Sequence, residues 1–258
     1  MTEAAVNVHI QEHIGTITLN RPANLNTFSS PLARELNQAL RRLEAEPTVH
    51  VVVVTGAGRA FCAGIDLSEF AGQTQGQYRR WVALMEEMNL IMREMEKPVI
   101  ASARGYAVAN GAGLLLAADL AVISETTKIG TTAVNIGLFC MGPAAPLTRA
   151  VARKQAMELL LLGELIDAET ALAWGLVNRV VPDDQLEQAT ATMAAKLASK
   201  SPIAVRMGKR AIWRMADMSF GEALDYSNEM FAALSVTADA QEGVDAFLNK
   251  RPPAWKGC

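Results

Sequence analysis

Residues 103–122 read ARGYAVANGAGLLLAADLAV. Small residues bend the chain ahead of an apolar helical run, and from Ala107 to Ala118 no side chain can exchange a proton. What this stretch offers is backbone. Glycine lets a ligand approach the main chain, and a helix N-terminus carries N–H groups with no intrahelical partner and a favourable dipole. An oxygen that gains negative charge is well held in such a place.

The flanking sequence sets the bend in context. YRRWVALMEEMNLIMREME predicts a long helix that stops before Pro98, KPVIASARGYAV a strand, and DLAVIS a further short strand after the helix that starts near Gly111. A second bend of the same kind follows HVVVVTG (residues 50–56), a run apolar on both faces and so a buried strand; it reads GAGRAFCAGIDLSEF. Two glycine bends side by side make converging donors, and losing one such donor costs roughly 2.7 to 4 kcal/mol of transition-state stabilisation.

Before these bends, VNVHIQEHIGTITLN predicts a hairpin turning at Glu12–Gly15. SSPLARELNQALRRLEAEP predicts a helix with Ser30 as N-cap and Pro31 in its first turn. After them come one or two helices in APLTRAVARKQAMELLLLG, a capped helix in DAETALAWG and a last strand in LVNRVVP. The order is α/β alternation in strand, strand, helix units. From Pro182 only helical patterns follow, and SFGEALDYSNEMFAALS supplies Phe220, Leu224, Met230, Phe231 and Leu234 for burial. We divide the chain into an α/β core, 1–195, and a helical region, 196–258, whose apolar faces suit docking against neighbouring subunits.

Bulk properties exclude several classes. The chain has 258 residues, 24 basic and 27 acidic side chains intermixed, so no broad surface for nucleic acid or anionic lipid is implied. Cys62, Cys140 and Cys258 are odd in number and not spaced like metal ligands, which favours reduced thiols and a cytoplasmic setting. The first residues lack a basic flank and an apolar core, so no secretory leader is expected, and no apolar run spans a membrane. A nicotinamide dehydrogenase fails because a GxGxxG reading from Gly56 meets Phe61 at its sixth position. A serine protease fails because His9, His13 and His50 lie on the early strands, far in sequence from either bend.

RAFCAGIDLSEF, KPVIASARGYAVANGAGLLLAADLAV, NIGLF and GELIDAETALAWGLVNRVV, with LNRPANLNTFS near the start and FLNKRPPAWKG near the end, resemble the crotonase superfamily, the enoyl-CoA hydratase/isomerase family. The resemblance covers the chain in order. It implies an α/β fold, a crotonase-like spiral of ββα repeats with a C-terminal all-helical trimerisation region, and a homotrimer or a hexamer of two trimers. It implies an acyl-CoA thioester as ligand, in acyl-CoA metabolism of the fatty-acid type, with no cofactor beyond the coenzyme A of the substrate. Carried over by position, the backbone N–H groups of Cys62 and Asn110 form the oxyanion hole, with Asn110 where the family generally has glycine. Ala23, Asn24, Leu25, Gly64, Ile65, Asp66 and Leu67 lie along coenzyme A, and Lys250 or Lys256 near the tail pairs with phosphate. The Asp66 counterpart is mainly structural.

The resemblance fails at one point. The family's hydratases move protons with two glutamates, and the matching positions here are Gly113 and Ala133, neither of which can move a proton. Two readings follow: an acyl-CoA enzyme whose acid–base group comes from elsewhere, or a non-catalytic acyl-CoA-binding or regulatory oligomer. A carboxylate reaching the pocket from Glu86 or Glu87 favours the first, and purely apolar walls the second. Cys140, in the loop where a nucleophile could reach a bound acyl group, is most simply a small buried hydrophobe.

Overall fold

The computed structural model describes residues 4–258. Met1–Glu3, on which part of the leader reading rests, lie outside them. The hairpin forms as β1 (Val6–Gln11) and β2 (Ile14–Leu19), and β2 pairs in parallel with β3 (Val51–Gly56). The main sheet continues in parallel through β4 (Val99–Ala103), β6 (Leu120–Ser124) and β9 (Arg179–Val181). A second, three-stranded sheet joins β5 (Tyr106–Val108), β7 (Lys128–Gly130) and β8 (Leu165–Ile166).

The doubly apolar reading of HVVVVTG is realised as two cores. Val52 and Val54 face a large core under α1 (Ser30–Ala45), α2 (Gln75–Glu94) and α3 (Asn110–Ala117), while Val51 and Val53 face a smaller one under α7 (Leu186–Ala198). The 195 boundary thus falls inside α7, whose Ala194 is buried on the sheet. KPVIASARGYAV is split between the two sheets at Arg104–Gly105, where Gly105 has φ +65° and a Cβ would sit 1.9 Å from the Arg59 carbonyl oxygen. The cap of α1 is Ser29 rather than Ser30, its hydroxyl accepting from the Leu32 N–H at 3.3 Å.

The remaining helices are α4 (Met141–Ala150), α5 (Arg153–Leu162), α6 (Ala168–Ala173), α8 (Pro202–Met215), α9 (Phe220–Ser235) and α10 (Ala238–Leu248). Lys209 on α8 fastens this end to the core: its ammonium donates to the Met92 and Lys97 carbonyls at 2.9 Å and pairs with Asp119 at 2.6 Å. In the single chain none of the five apolar residues assigned to α9 is buried, and Phe220 and Phe231 are 82% and 72% exposed. Among the described residues no helix is long and apolar enough to cross a membrane.

Candidate active site

The two glycine bends meet as the sequence implies. A Cβ on Gly111 would lie 2.0 Å from the Cys62 carbonyl oxygen, and one on Gly64, at φ +108°, would lie 3.1 Å from Ala109 Cβ. Only glycine permits this approach. Ala109 is held at φ 49°, ψ −117°, a conformation that costs a non-glycine residue ~1–3 kcal/mol. The strained position is therefore Ala109; Asn110, where glycine was expected, is the first residue of α3.

Hydrogen bonding corrects one assignment. Cys62 and Ala107 form a parallel bridge in which the Cys62 N–H donates to the Tyr106 carbonyl at 2.9 Å, so that amide is already engaged. Three residues on, Phe28 bridges Ile65 through its neighbours: Phe28 N–H donates to Gly64, and Asp66 N–H donates to Phe28, each at 2.8 Å. In a parallel bridge this leaves the N–H of Ile65 itself turned to the other side. Ile65 lines a cavity of about 410 Å³, whose wall also carries Asn110. Asn110 opens α3, so its N–H belongs to the first helical turn, which has no intrahelical acceptor. Ile65 and Asn110 both line this cavity, and neither N–H is spent on the bridges between the bends.

Glu86 reaches the same cavity from α2 and is the one acidic side chain among the described residues lining it. Its two oxygens accept from Asn110 Nδ2 and Asn89 Nδ2, each at 2.7 Å. A Cβ on Gly142 would fall 1.9 Å from the Glu86 carboxyl carbon, so glycine at the start of α4 makes room for this carboxyl. Burial pushes the Glu86 pKa above the ordinary carboxylate value, against the opposing pull of the two amide donors. A carboxyl raised in this way holds a proton more readily than an exposed one, which suits it to both accept and return a proton. Phe70, Trp81, Phe139 and Pro143 contribute apolar wall, and Trp81 is fixed by its indole N–H on Glu69 at 3.1 Å.

The other named residues separate clearly. Glu87 faces away, accepting from Asn37 and Arg41. Gly113 is buried in α3 with Pro143 Cγ 3.2 Å from where its Cβ would be, so proline fills the space a longer side chain would enter; Ala133 lines the cavity. Cys140 lines it too, but burial, and secondarily the charge of Glu86, push its thiol pKa up, and burial takes Cys62 up to about 12. Neither is a ready thiolate. Asp66 accepts from Ser68 and from Arg21 at 2.8 Å, bonds that hold its pKa below the usual range.

Gly64, Ile65 and Leu67 line the cavity, and Leu25 joins the Cys62–Gly64 bend by accepting from the Ala63 N–H at 3.0 Å. Ala23 and Asn24 form the preceding short turn. Lys250 is exposed on the C-terminal segment, outside this cavity wall. The roles of Asn89 and Gly142 were not read from sequence. The available signal was Val82, Glu86 and Asn89 recurring along one flank of α2, beside the buried stripe of Met85, Met88 and Met92.

A parallel sheet with two backbone bends closing on a carboxyl-bearing apolar cavity defines an α/β protein with a crotonase-type fold. The enoyl-CoA hydratase/isomerase family model matches residues 9–258. A probable enoyl-CoA hydratase of Rhizobium meliloti is 36% identical over 259 residues, covering 99% of both chains. The rat mitochondrial enoyl-CoA hydratase domain-containing protein 3 is 33% identical over 246 residues, covering 95% of this chain and 82% of the relative. The crystal structure of an enoyl-CoA hydratase from Mycobacterium smegmatis superposes with a TM-score of 0.96 at 35% identity, covering 98% of this chain and 99% of that one. The chain belongs to the enoyl-CoA hydratase/isomerase family, within the crotonase superfamily.

Proposed function

We propose that this protein is an acyl-CoA enzyme that moves a proton along the acyl chain, with Glu86 as the sole proton carrier. The observation that carries the reading is the Glu86 carboxyl, fixed by Asn110 and Asn89 in an apolar cavity whose wall includes Ile65 and Asn110. The thioester oxygen accepts from the N–H groups of Ile65 and Asn110, so the negative charge that develops when a neighbouring C–H is deprotonated rests on that oxygen. Glu86 takes the proton from one carbon and returns it to another. The first step forms a dienolate and the neutral carboxylic acid; the second restores the carboxylate and shifts the double bond.

One carboxyl suits such an isomerisation better than hydration, which needs a base for water and an acid for carbon at once. The rival reading, a non-catalytic binder, requires apolar walls around the thioester, and Glu86 argues against it. The rest of the proposal is a substrate of acyl-CoA metabolism, no further cofactor, and a cytoplasmic location, supported by three free cysteines. The exposed apolar faces of α9 and α10, Phe247 at 82% included, support subunit contacts in a homotrimer or hexamer.

The test incubates the protein in D₂O with short- and medium-chain saturated and 3-enoyl-CoA thioesters, with calorimetry for binding and NMR for exchange. Saturable binding and deuterium entering the acyl chain at a carbon near the thioester are expected. No heat with any acyl-CoA defeats the binding claim, and binding without exchange favours the non-catalytic reading.

A further inference from the structure

A second hollow, of about 660 Å³, opens at the opposite edge of the main sheet. It is bordered by His50, the residue before β3, and His13, in the turn before β2, so it lies at the N-terminal ends of the strands. The cavity holding Glu86 is formed by bends beyond their C-terminal ends, and the two share no lining residue. His13, His50, Lys200, Arg206 and Lys256 line the hollow, with no acidic side chain among the described lining residues. Five groups that carry or can acquire positive charge thus face one space.

The cluster is built into the fold rather than spread over a surface. The two imidazoles stack 4.2 Å apart with planes 2° from parallel. His13 Nδ1 lies 3.0 Å from the Thr48 carbonyl, so it is the donor there and Nε2 is left for another partner. His50 Nδ1 and Arg206 Nε are buried side-chain atoms with no hydrogen-bond partner among the described residues. A buried polar atom left unpaired is costly, and the Arg206 Nε–H is always a donor. Trp255 completes the wall, its indole N–H fixed on the Ser199 carbonyl at 2.9 Å.

Nearby carboxylates are engaged elsewhere. Glu44, on α1, accepts from the Glu96 and Lys97 N–H groups, and Glu46 accepts from Thr48. Asp239, on α10, accepts from Ser201 and from the Lys256 and Gly257 N–H groups. Burial lowers the His50 pKa against the opposing pull of a hydrogen bond to the Ala198 backbone, and the positive charges of His13, Arg206 and Lys97 lower it further. The cluster carries its own repulsion, which an anion would relieve.

We propose that this hollow binds a doubly charged tetrahedral oxyanion, a phosphate either free or carried by a nucleoside monophosphate, held by Arg206 and the His13–His50 pair with Lys200 and Lys256 at the rim. Arg206 supplies the planar fork, and His50, whose charged form burial disfavours, gains a proton as the anion arrives. Binding therefore takes up protons. The Trp255 ring is the surface a nucleobase would use.

Calorimetry on the full chain with inorganic phosphate, sulfate and a nucleoside monophosphate, paired with NMR of the imidazole protons, tests this. Sulfate keeps its charge across the neutral range, so its pH dependence reports the protein's own groups. Saturable sulfate binding that weakens as pH rises is expected, with the His50 resonances shifting on binding. Arg206→Gln should weaken it about tenfold or more, Arg206→Lys should restore part of the loss, and acyl-CoA binding should stay unchanged in both. A nucleotide tighter than phosphate assigns the carried form, and equal affinities assign the free anion. No saturable heat with any of the three probes, or a sulfate affinity indifferent to both pH and Arg206→Gln, overturns the proposal.

Discussion

Replacing Glu86 by glutamine removes the proposed proton carrier while leaving the cavity nearly the same shape. Glutamine presents an NH₂ where one carboxyl oxygen stood, opposite an asparagine NH₂ that had been donating at 2.7 Å. Asn89 can absorb the change, because its buried Oδ1 has no partner among the described residues and accepts if that amide turns over. Folding should thus survive. An acid or base contributes about 10² to 10⁴-fold, and Glu86 acts in both removal and return, so the loss should approach the upper end. At 1.36 kcal/mol per tenfold, 10⁴ corresponds to about 5.4 kcal/mol of barrier.

The assay is deuterium entry into a bound acyl-CoA by NMR, with affinity measured in parallel by calorimetry. Rate should fall by about 10⁴ with affinity little changed. The variant should also respond differently to pH. A carboxyl whose folded pKa is raised costs no stability below its unfolded value of about 4.3, and folding loses stability as pH climbs from there through the raised folded value. Glu86→Gln escapes that loss, so its melting temperature should exceed wild type at alkaline pH and converge with it in acid. A variant exchanging within about tenfold of wild type, short of the ~10²–10⁴-fold loss expected of a proton carrier, would refute the reasoning.

Gly142→Ala puts a methyl carbon 1.9 Å from the Glu86 carboxyl carbon, and a flexible side-chain end yields more easily than backbone. Exchange should fall while thermal melting stays close to wild type. Asn110→Ala removes one of the two donors that hold the Glu86 pKa down, so the rise of rate with pH should move to higher pH, read from a pH–rate profile. Cys140→Ser should leave exchange largely intact, because that thiol is not activated. Gly113→Glu with Ala133→Glu drives a side chain into Pro143, and overpacking of this kind typically costs about 1–3 kcal/mol; lowered melting without gained hydration of crotonyl-CoA is expected.

Much of the architecture was legible because it is local. The apolar run Val51–Val54 reads as a strand covered on both faces, and both faces are covered. Pro98 ends the long α2 pattern as expected, and Ser201 with Pro202 opens α8. The α9 residues assigned to burial are not covered within one chain, because periodicity identifies a face and not what lies against it. The two-residue β8 was invisible, since nothing about Leu165–Ile166 marks a strand until it pairs with β7.

The site was legible in kind and not in register. Sequence locates two bends with amides to offer, yet which amide is free depends on whether Cys62 or its partner Ala107 supplies the bridge bonds, and on Phe28 pairing around Ile65. Those are contacts between distant segments. Glu86 meets Asn110 across 24 residues, so the carboxyl is absent from the sequence around Gly113 and Ala133. The family's positional expectation looked on the helix after the bend, and here the carboxyl enters from the helix before it.

The most direct test is a crystal structure with a non-reactive acyl-CoA thioether or ketone analogue bound. The ketone oxygen should lie about 2.7–3.1 Å from both the Ile65 and Asn110 backbone nitrogens, with the Glu86 carboxyl against the adjacent acyl carbons. An acyl group seated outside this cavity, or an oxygen contacting neither nitrogen, would contradict it.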